Sequence, residues 1–442
     1  MRERLHRLYS LWRQRGTRPL LSHVKRKLLE RAIQVSLEPV SVNSAGGIAA
    51  NALVQSHFAS NIPLRTYTAP AKTAGRINLV TDSIGQGSLF GGVGTALILG
   101  ALMANELNRT LRIITRTERA QVHNLQHVLS VHGIALKQEV QFAFAAFFDD
   151  QYEIDVCEQD LFLTTSWWTT QATLSSVTPS KVIYLLQEDE RMFYPFGDER
   201  HRASAVMARS DIQFLINTQL LFDHLISEGF EHLKNCGQWF EPSFAPAKSS
   251  QREVAPKSFD AGSKRRFFFY ARPNNPRNLF YLGLQVIEQA VSEGVLDPKV
   301  WEIVLVGKDI PHVIFAGDVE PLRLESLNWQ EYVSMVASID LGLSLMSTPH
   351  PSYPPFDLAN AGAVVVTNRF GLKKDLSSYS ANILCAEPEI NDLIKVLRQG
   401  VDLALNTTLR SQNHAQNQFL PTWQDAFSGV IEVCLERLDV SH

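Results

Sequence analysis

Three cations follow apolar runs in the second half of this sequence. Arg272 and Arg277 frame the stretch Ala271-Arg-Pro-Asn-Asn-Pro-Arg-Asn278, directly after the run Phe267–Tyr270, and Lys308 closes Leu305-Val-Gly-Lys308 after another. Asn275 reads as a helix N-cap and Pro276 as the first helical residue, which puts Arg277 in the first turn. A cation there opposes the helix dipole, so two arginines at such a place suit a shared anion held by guanidinium–phosphate pairs. A diphosphate is the expected ligand, on Arg272, Arg277 and Lys308.

A second dense stretch runs from Ser344 through His350-Pro-Ser352-Tyr353-Pro-Pro-Phe-Asp357 to Gly362. Its prolines (349, 351, 354 and 355) make a stiff loop, with Pro355 ready to open a helix. Asp357 in that helix's first turn would accept ribose hydroxyls, while His350, Ser352 and Tyr353 would hold a sugar or phosphate. In the first half, Gln187-Glu188-Asp189-Glu190-Arg191 follows the run Lys181–Leu186. A carboxylate there can orient sugar hydroxyls. Asp189 is favoured for chemistry, with Glu188 and Glu190 left open as acceptor contacts beside the aromatic faces of Trp167, Trp168, Phe193 and Tyr194.

The elements that must position these groups alternate. The run Ile77–Val80, a glycine-rich turn to Gly94, an apolar helix over about 95–108 and the run Leu111–Thr115 make a βαβ unit. Further runs at 160–165, 181–186 and 214–217 alternate with helical patterns at 122–132, 202–208 and 220–228. The Pro-, Ser- and Lys-rich stretch 244–264 marks a domain boundary. A second alternation then begins, with strands expected at 267–270, 300–306, 313–315, 340–345 and 363–367 and helices at 276–293, 329–337 and 356–361. The fold class is α/β: two doubly wound Rossmann-like domains facing a central cleft, plus an N-terminal helical extension. The expected boundaries are 1–75 for the extension, 76–250 and 251–420 for the two domains, and 421–442 for a C-terminal helix packing back toward the first domain.

The glycine turn itself excludes two common readings. Gly85 and Gly87 fit a dinucleotide fingerprint, but Phe90 stands at its sixth position and Thr115-Arg116 where a ribose-binding acid belongs. No Gly-Lys-Ser/Thr follows, so it is no P-loop. Gly92 and Gly94 are left to touch a phosphate or sugar, or to let helix and strand pack closely. The histidines at 123, 127 and 132, spaced 4 and 5 apart on one helix, are expected to face solvent or the sheet rather than to ligate a metal.

Composition sets the outer limits. At 45% hydrophobic and 20% charged, the 442 residues describe folded domains rather than a disordered tail. No run of about 18 apolar residues is present, and four scattered cysteines suit a reducing, cytoplasmic compartment. The net charge of −3 hides an asymmetry. Residues 1–35 carry ten Lys and Arg against Glu3 and Glu30, a net +8, which leaves −11 for the rest. Leu5, Leu8, Tyr9 and Trp12 recur at helical spacing among those cations, as suits a helix lying on an anionic membrane surface or on a protein partner.

The two second-half motifs resemble the nucleotide-binding half of retaining GT-B glycosyltransferases of family 4. Arg272 and Arg277 occupy the Arg-x4-Lys spacing, with Arg for Lys. Asp357, five residues before Gly362, sits where the second Glu of Glu-x7-Glu belongs, while Pro349 replaces the first. More closely, Tyr270-Ala-Arg-Pro, Pro349-His-Pro-Ser-Tyr-Pro-Pro355 and Gln187–Gly197 are similar to WsaF-type bacterial rhamnosyltransferases, over about residues 75–430. The resemblance implies transfer of a deoxyhexose, foremost L-rhamnose from dTDP-L-rhamnose, to a bacterial surface glycan with retention. It implies a nucleotide sugar as donor substrate, no metal and no cofactor. The acceptor is a glycan, lipid-linked if the basic segment reaches the inner face of the cytoplasmic membrane, and no nucleic acid is involved. A GDP- or UDP-hexose donor, or an inactive glycan-binding scaffold, are the alternatives.

Overall fold

The β-branched and aromatic runs form strands because both of their faces are covered. The structure, a computed structural model, describes residues 49–70, 73–85, 89–149, 152–244 and 264–438. The basic segment 1–35 and nearly all of the expected linker therefore lie outside the described residues. In the first half the strands are β1 (Thr66–Thr68), β2 (Arg76–Thr81), β3 (Thr110–Thr115), β4 (Gln141–Phe144), β5 (Ile154–Val156), β6 (Leu161–Thr164), β7 (Val182–Leu186), β8 (Gln213–Asn217) and β9 (Gly237–Phe240). Seven of them make one sheet in the order β4-β3-β2-β6-β7-β8-β9, with every pair parallel. β1 and β5 form a separate parallel pair. Parallel strands need crossovers on the sheet faces, which cover both sides of the central strands: every residue of β2 and of β7 is buried.

The second half repeats the plan. β10 (Arg265–Ala271), β11 (Trp301–Gly307), β12 (Leu322–Glu325), β13 (Leu341–Leu343), β14 (Val364–Asn368) and β15 (Ile383–Ala386) line up as β12-β11-β10-β13-β14-β15, again all parallel. In each domain the strands end toward the other, so the loops that carry Glu188, Arg277 and Tyr353 meet between the domains.

The last helix, Trp423–Arg437, returns to the first domain. Thr422 caps it, its hydroxyl accepting from the Asp425 N–H at 3.1 Å. Trp423, Phe427, Ile431 and Cys434 fill the first-domain core, with the Phe427 ring 4.7 Å from that of Phe240. The two crossings between domains lie side by side, the Phe244 N–H donating to the Leu420 carbonyl at 3.1 Å.

Several elements differ from expectation. The helix expected over 276–293 is split: a tight turn at Pro276–Asn278, then Leu279 at φ +47°, then the helix Phe280–Ser292. The buried Asn278 side chain, which donates to the Leu345 carbonyl at 3.3 Å, fixes that break. The strand expected at 313–315 is instead one antiparallel bridge, Phe315 to Val319, closed over Gly317. The helix expected from 356 starts at Tyr353, which moves Asp357 out of its first turn. Among the described residues, no helix is long and apolar enough to cross a membrane.

Candidate active site

β10 ends on Ala271 beside Gly307 of β11, and at Gly307 an added Cβ would meet the Ala271 carbonyl at 1.8 Å. That close approach lets Arg272 leave the strand end, its guanidinium donating to the Tyr270 hydroxyl at 3.0 Å. Arg277 lies in the tight turn after it, without a helix dipole of its own, and reaches across to the first domain. Its guanidinium lies 4.2 Å from the centre of the Phe193 ring and pairs with Glu188 at 3.5 Å. Burial pushes Arg277 below the usual arginine range, partly offset by Glu188 and Glu190, and Arg272 lowers it further. Lys308 follows β11 and is exposed.

The three first-domain carboxylates divide the work differently from expectation. Asp189 is fully buried and accepts from the Arg191 side chain at 2.8 and 2.6 Å, with His224 at 3.6 Å. Its burial would raise the carboxyl, but Arg191 and His224 hold it below the ordinary range. Asp189 thus anchors its own loop, and Glu188 is the carboxylate that meets the second domain. Glu188 is pushed up to about 7 by burial, with Arg277, the Thr348 hydroxyl and Lys373 drawing it back. Glu190 is 3% exposed, accepts from the Trp167 backbone N–H at 2.7 Å, and is pushed up to about 8 by burial.

The aromatic acceptor platform also differs. The Trp167 ring is 2% exposed, and its indole N–H donates to the Tyr194 hydroxyl at 3.1 Å, so Trp167 and Tyr194 form a wall of the first domain. Trp168 is held to the Asp82 carboxylate at 2.9 Å. Phe193 is the aromatic that faces the second domain, under Arg277.

The stiff proline loop supplies the seam. Ser352 at φ +73° swings Tyr353 toward the first domain. There the Tyr353 hydroxyl accepts from the Asn217 amide at 2.9 Å and lies 2.7 Å from the Thr95 hydroxyl. Gly91, at φ +74°, backs onto the Tyr353 ring, and the Gly92 carbonyl accepts from the Gln187 amide at 2.7 Å. Gly92 and Gly94 therefore shape the turn and open the helix Gly94–Glu106. His350 is 4% exposed. Its Nδ1 accepts from the Ser352 N–H at 3.0 Å, which leaves the proton on Nε2, where no partner is within reach. Burial and Lys373 push that imidazole down to about 3, so it stays neutral. Asp357 accepts from the Tyr332 hydroxyl at 2.9 Å, and burial pushes it up to about 7.

One functional group escaped the sequence reading. Lys373 is fully buried in the turn after β14, where its ammonium donates to the Met346 carbonyl at 3.0 Å and burial pushes it down to about 8. Asn368 grips the same Met346 peptide from both sides, at 2.6 and 3.1 Å. A lysine five residues past the end of the strand Val-Val-Val-Thr-Asn368 was the available signal. The structure thus gathers Arg277, Glu188, Lys373, His350 and Tyr353 at the seam, with Arg272 beside Arg277. Among the described residues, no cluster of three or more His, Cys, Asp or Glu could hold a metal ion.

Comparison with known proteins identifies the family and the fold. The family model described as WsaF, N-terminal domain matches residues 76–219, and WsaF, C-terminal domain matches residues 265–398. O-antigen biosynthesis protein RfbC of Myxococcus xanthus is 29% identical over 274 residues, 60% of this chain. The matched stretch is 20% of that protein, so the chain spans about a fifth of its relative's length. In fold, the chain is similar to HepE of Anabaena, solved with UDP and glucose, with a TM-score of 0.54, 13% identity, and 83% and 100% of the two chains covered. It is likewise similar to an α,α-trehalose-phosphate synthase (UDP-forming) of Burkholderia xenovorans, with a TM-score of 0.52, 11% identity, and 81% and 100% covered. The fold is GT-B, two Rossmann-like domains facing one cleft.

Proposed function

The chain belongs to the WsaF family, and from that premise we propose that it is a glycosyltransferase acting in the synthesis of a bacterial surface glycan. The observation that carries the reading is the half-buried Arg277 at the seam, adjoining Arg272 and facing a first-domain carboxylate. A diphosphate of a nucleotide sugar lies on Arg272 and Arg277, with Lys308 at the rim and Asp357 toward the ribose. The His350 Nε2–H, buried and unpartnered, meets a sugar oxygen. The acceptor glycan enters from the first domain past Phe193.

The finer reading is transfer of L-rhamnose from dTDP-L-rhamnose with retention. The anomeric C–O bond to the diphosphate breaks, the acceptor oxygen bonds the same face, and its proton passes to the departing phosphate oxygen. Arginine and lysine charges fixed before reaction stabilise the developing negative charge. Work at the cytoplasmic face of the membrane, with residues 1–35 as the lipid contact, fits the net +8 of that segment.

The test is donor hydrolysis and transfer with purified protein and dTDP-L-rhamnose, UDP-glucose and GDP-mannose, with the product anomer read by NMR. Turnover with dTDP-L-rhamnose and a retained anomer is expected. Turnover with another donor alone, or inversion, overturns the finer reading, and glycan binding without turnover on any donor overturns the enzyme. Liposome co-sedimentation with and without residues 1–35 tests the membrane contact, which equal binding of both forms would exclude.

A further inference from the structure

Arg277, the cation best placed for the donor diphosphate, already holds an anion in the free protein. Glu188 pairs with it at 3.5 Å across the two domains. Glu188 has little freedom to leave. It is 9% exposed, it lies two residues past β7, and its carboxylate takes the Asp189 N–H at 3.3 Å. The charged and titratable groups around it come from every side. Arg277 reaches it from the turn after β10, Lys373 from the turn after β14, and Glu190 from its own loop, with the Thr348 hydroxyl beside it.

A diphosphate on Arg277 changes this balance twice. It takes up the guanidinium that partners Glu188, and it brings its own negative charge alongside. A buried carboxylate that loses its cation and gains an anionic neighbour becomes neutral rather than staying charged. Burial already holds Glu188 at about 7, so little more is needed. Resting on the donor-binding reading above, we propose that Glu188 occupies the donor's anion site in the free protein. When the donor binds, it cedes Arg277 to the diphosphate, takes one proton from solvent, and donates a hydrogen bond to the donor as a neutral acid. The proton comes from bulk water and adds to one carboxylate oxygen, with no other bond made or broken.

Calorimetric titration of the full chain with dTDP-L-rhamnose tests this, since that donor carries no group that ionises near neutrality. Run near pH 8 in Hepes and in Tris, the heats should differ by the uptake of about one proton per nucleotide sugar bound, and affinity should fall about tenfold per pH unit above pH 7.5. Glu188→Gln should keep binding but lose both the uptake and the pH slope, while Glu190→Gln should keep both. Equal heats in both buffers with pH-independent affinity would overturn the proposal, as would a slope that survives Glu188→Gln and vanishes in Glu190→Gln. If none of dTDP-L-rhamnose, UDP-glucose and GDP-mannose binds at any pH, the donor reading itself fails, and the proposal with it.

Discussion

The first domain's sheet has charged residues at both edges, and the edges treat them in opposite ways. At the edge where the strands begin, the fully buried Asp160 takes two hydrogen bonds from the Arg76 guanidinium, at 3.1 and 2.8 Å, and one from the Arg76 N–H. Arg76 and Arg112 also share Asp155, each at 2.8 Å. Both aspartates sit below the ordinary range despite burial, because the arginines outweigh it. At the edge where the strands end, Glu188 and Glu190 are pushed up, while Arg277 and Lys373 are pushed down. One network satisfies its own charges; the other is left short of partners. A closed network marks stability, whereas a deficient one, here shared with Arg277 and Lys373 of the second domain, marks a candidate place for a charged ligand.

The largest effect should come from the closed edge. Asp160→Asn leaves Arg76 facing half of its partners and is expected to cost about 3–5 kcal/mol in a denaturant melt. Nucleotide-sugar affinity of the folded fraction should hardly change. The sign with pH follows from the depressed carboxyl: its contribution is present above the unfolded value and is lost as pH falls through the folded one.

The deficient edge should answer the other way. Arg277→Ala should lose about 2–3 kcal/mol of donor binding, a 30- to 150-fold rise in Kd, with a smaller change in melting than Asp160→Asn gives. A pair of measurements in which Arg277→Ala melts the protein and leaves affinity intact would erase the contrast. Stability should also depend on pH at this edge. Glu190 keeps its proton up to about 8 in the folded chain, whereas the unfolded chain releases it near about 4.3, so stability falls as pH rises between them. Glu190→Gln should flatten that fall, as thermal melts at about pH 5.5 and 8 would show. The smallest effect should be that of Lys308→Ala. An exposed cation at the rim is worth about 0.2–1 kcal/mol, and added salt should erase the loss in Kd.

Strand–helix alternation was legible because it rests on local pattern: apolar runs separated by glycine and proline breaks. The short or exposed strands β4, β9 and β12 carried too little pattern to read, β12 being Leu-Arg-Leu-Glu with no buried residue. Which carboxylate faces the cleft was not legible either. Glu188, Asp189 and Glu190 are consecutive, and their directions are set by remote partners: Arg277 in the other domain, His224 on a later helix, and the Trp167 backbone. Lys373 was missed for the same reason, since a buried lysine is recognised by what surrounds it.

The return of the helix Trp423–Arg437 into the first domain has a consequence for biogenesis. The second domain is nested within the first along the chain, so a ribosome finishes all six of its strands before the first domain has its last core element. Until that helix emerges, the core residues that Phe427 and Ile431 cover stay open to water, and the first domain waits half-built on its neighbour. A chain truncated after residue 420 would leave that core face open, and limited proteolysis should cleave its first domain before its second.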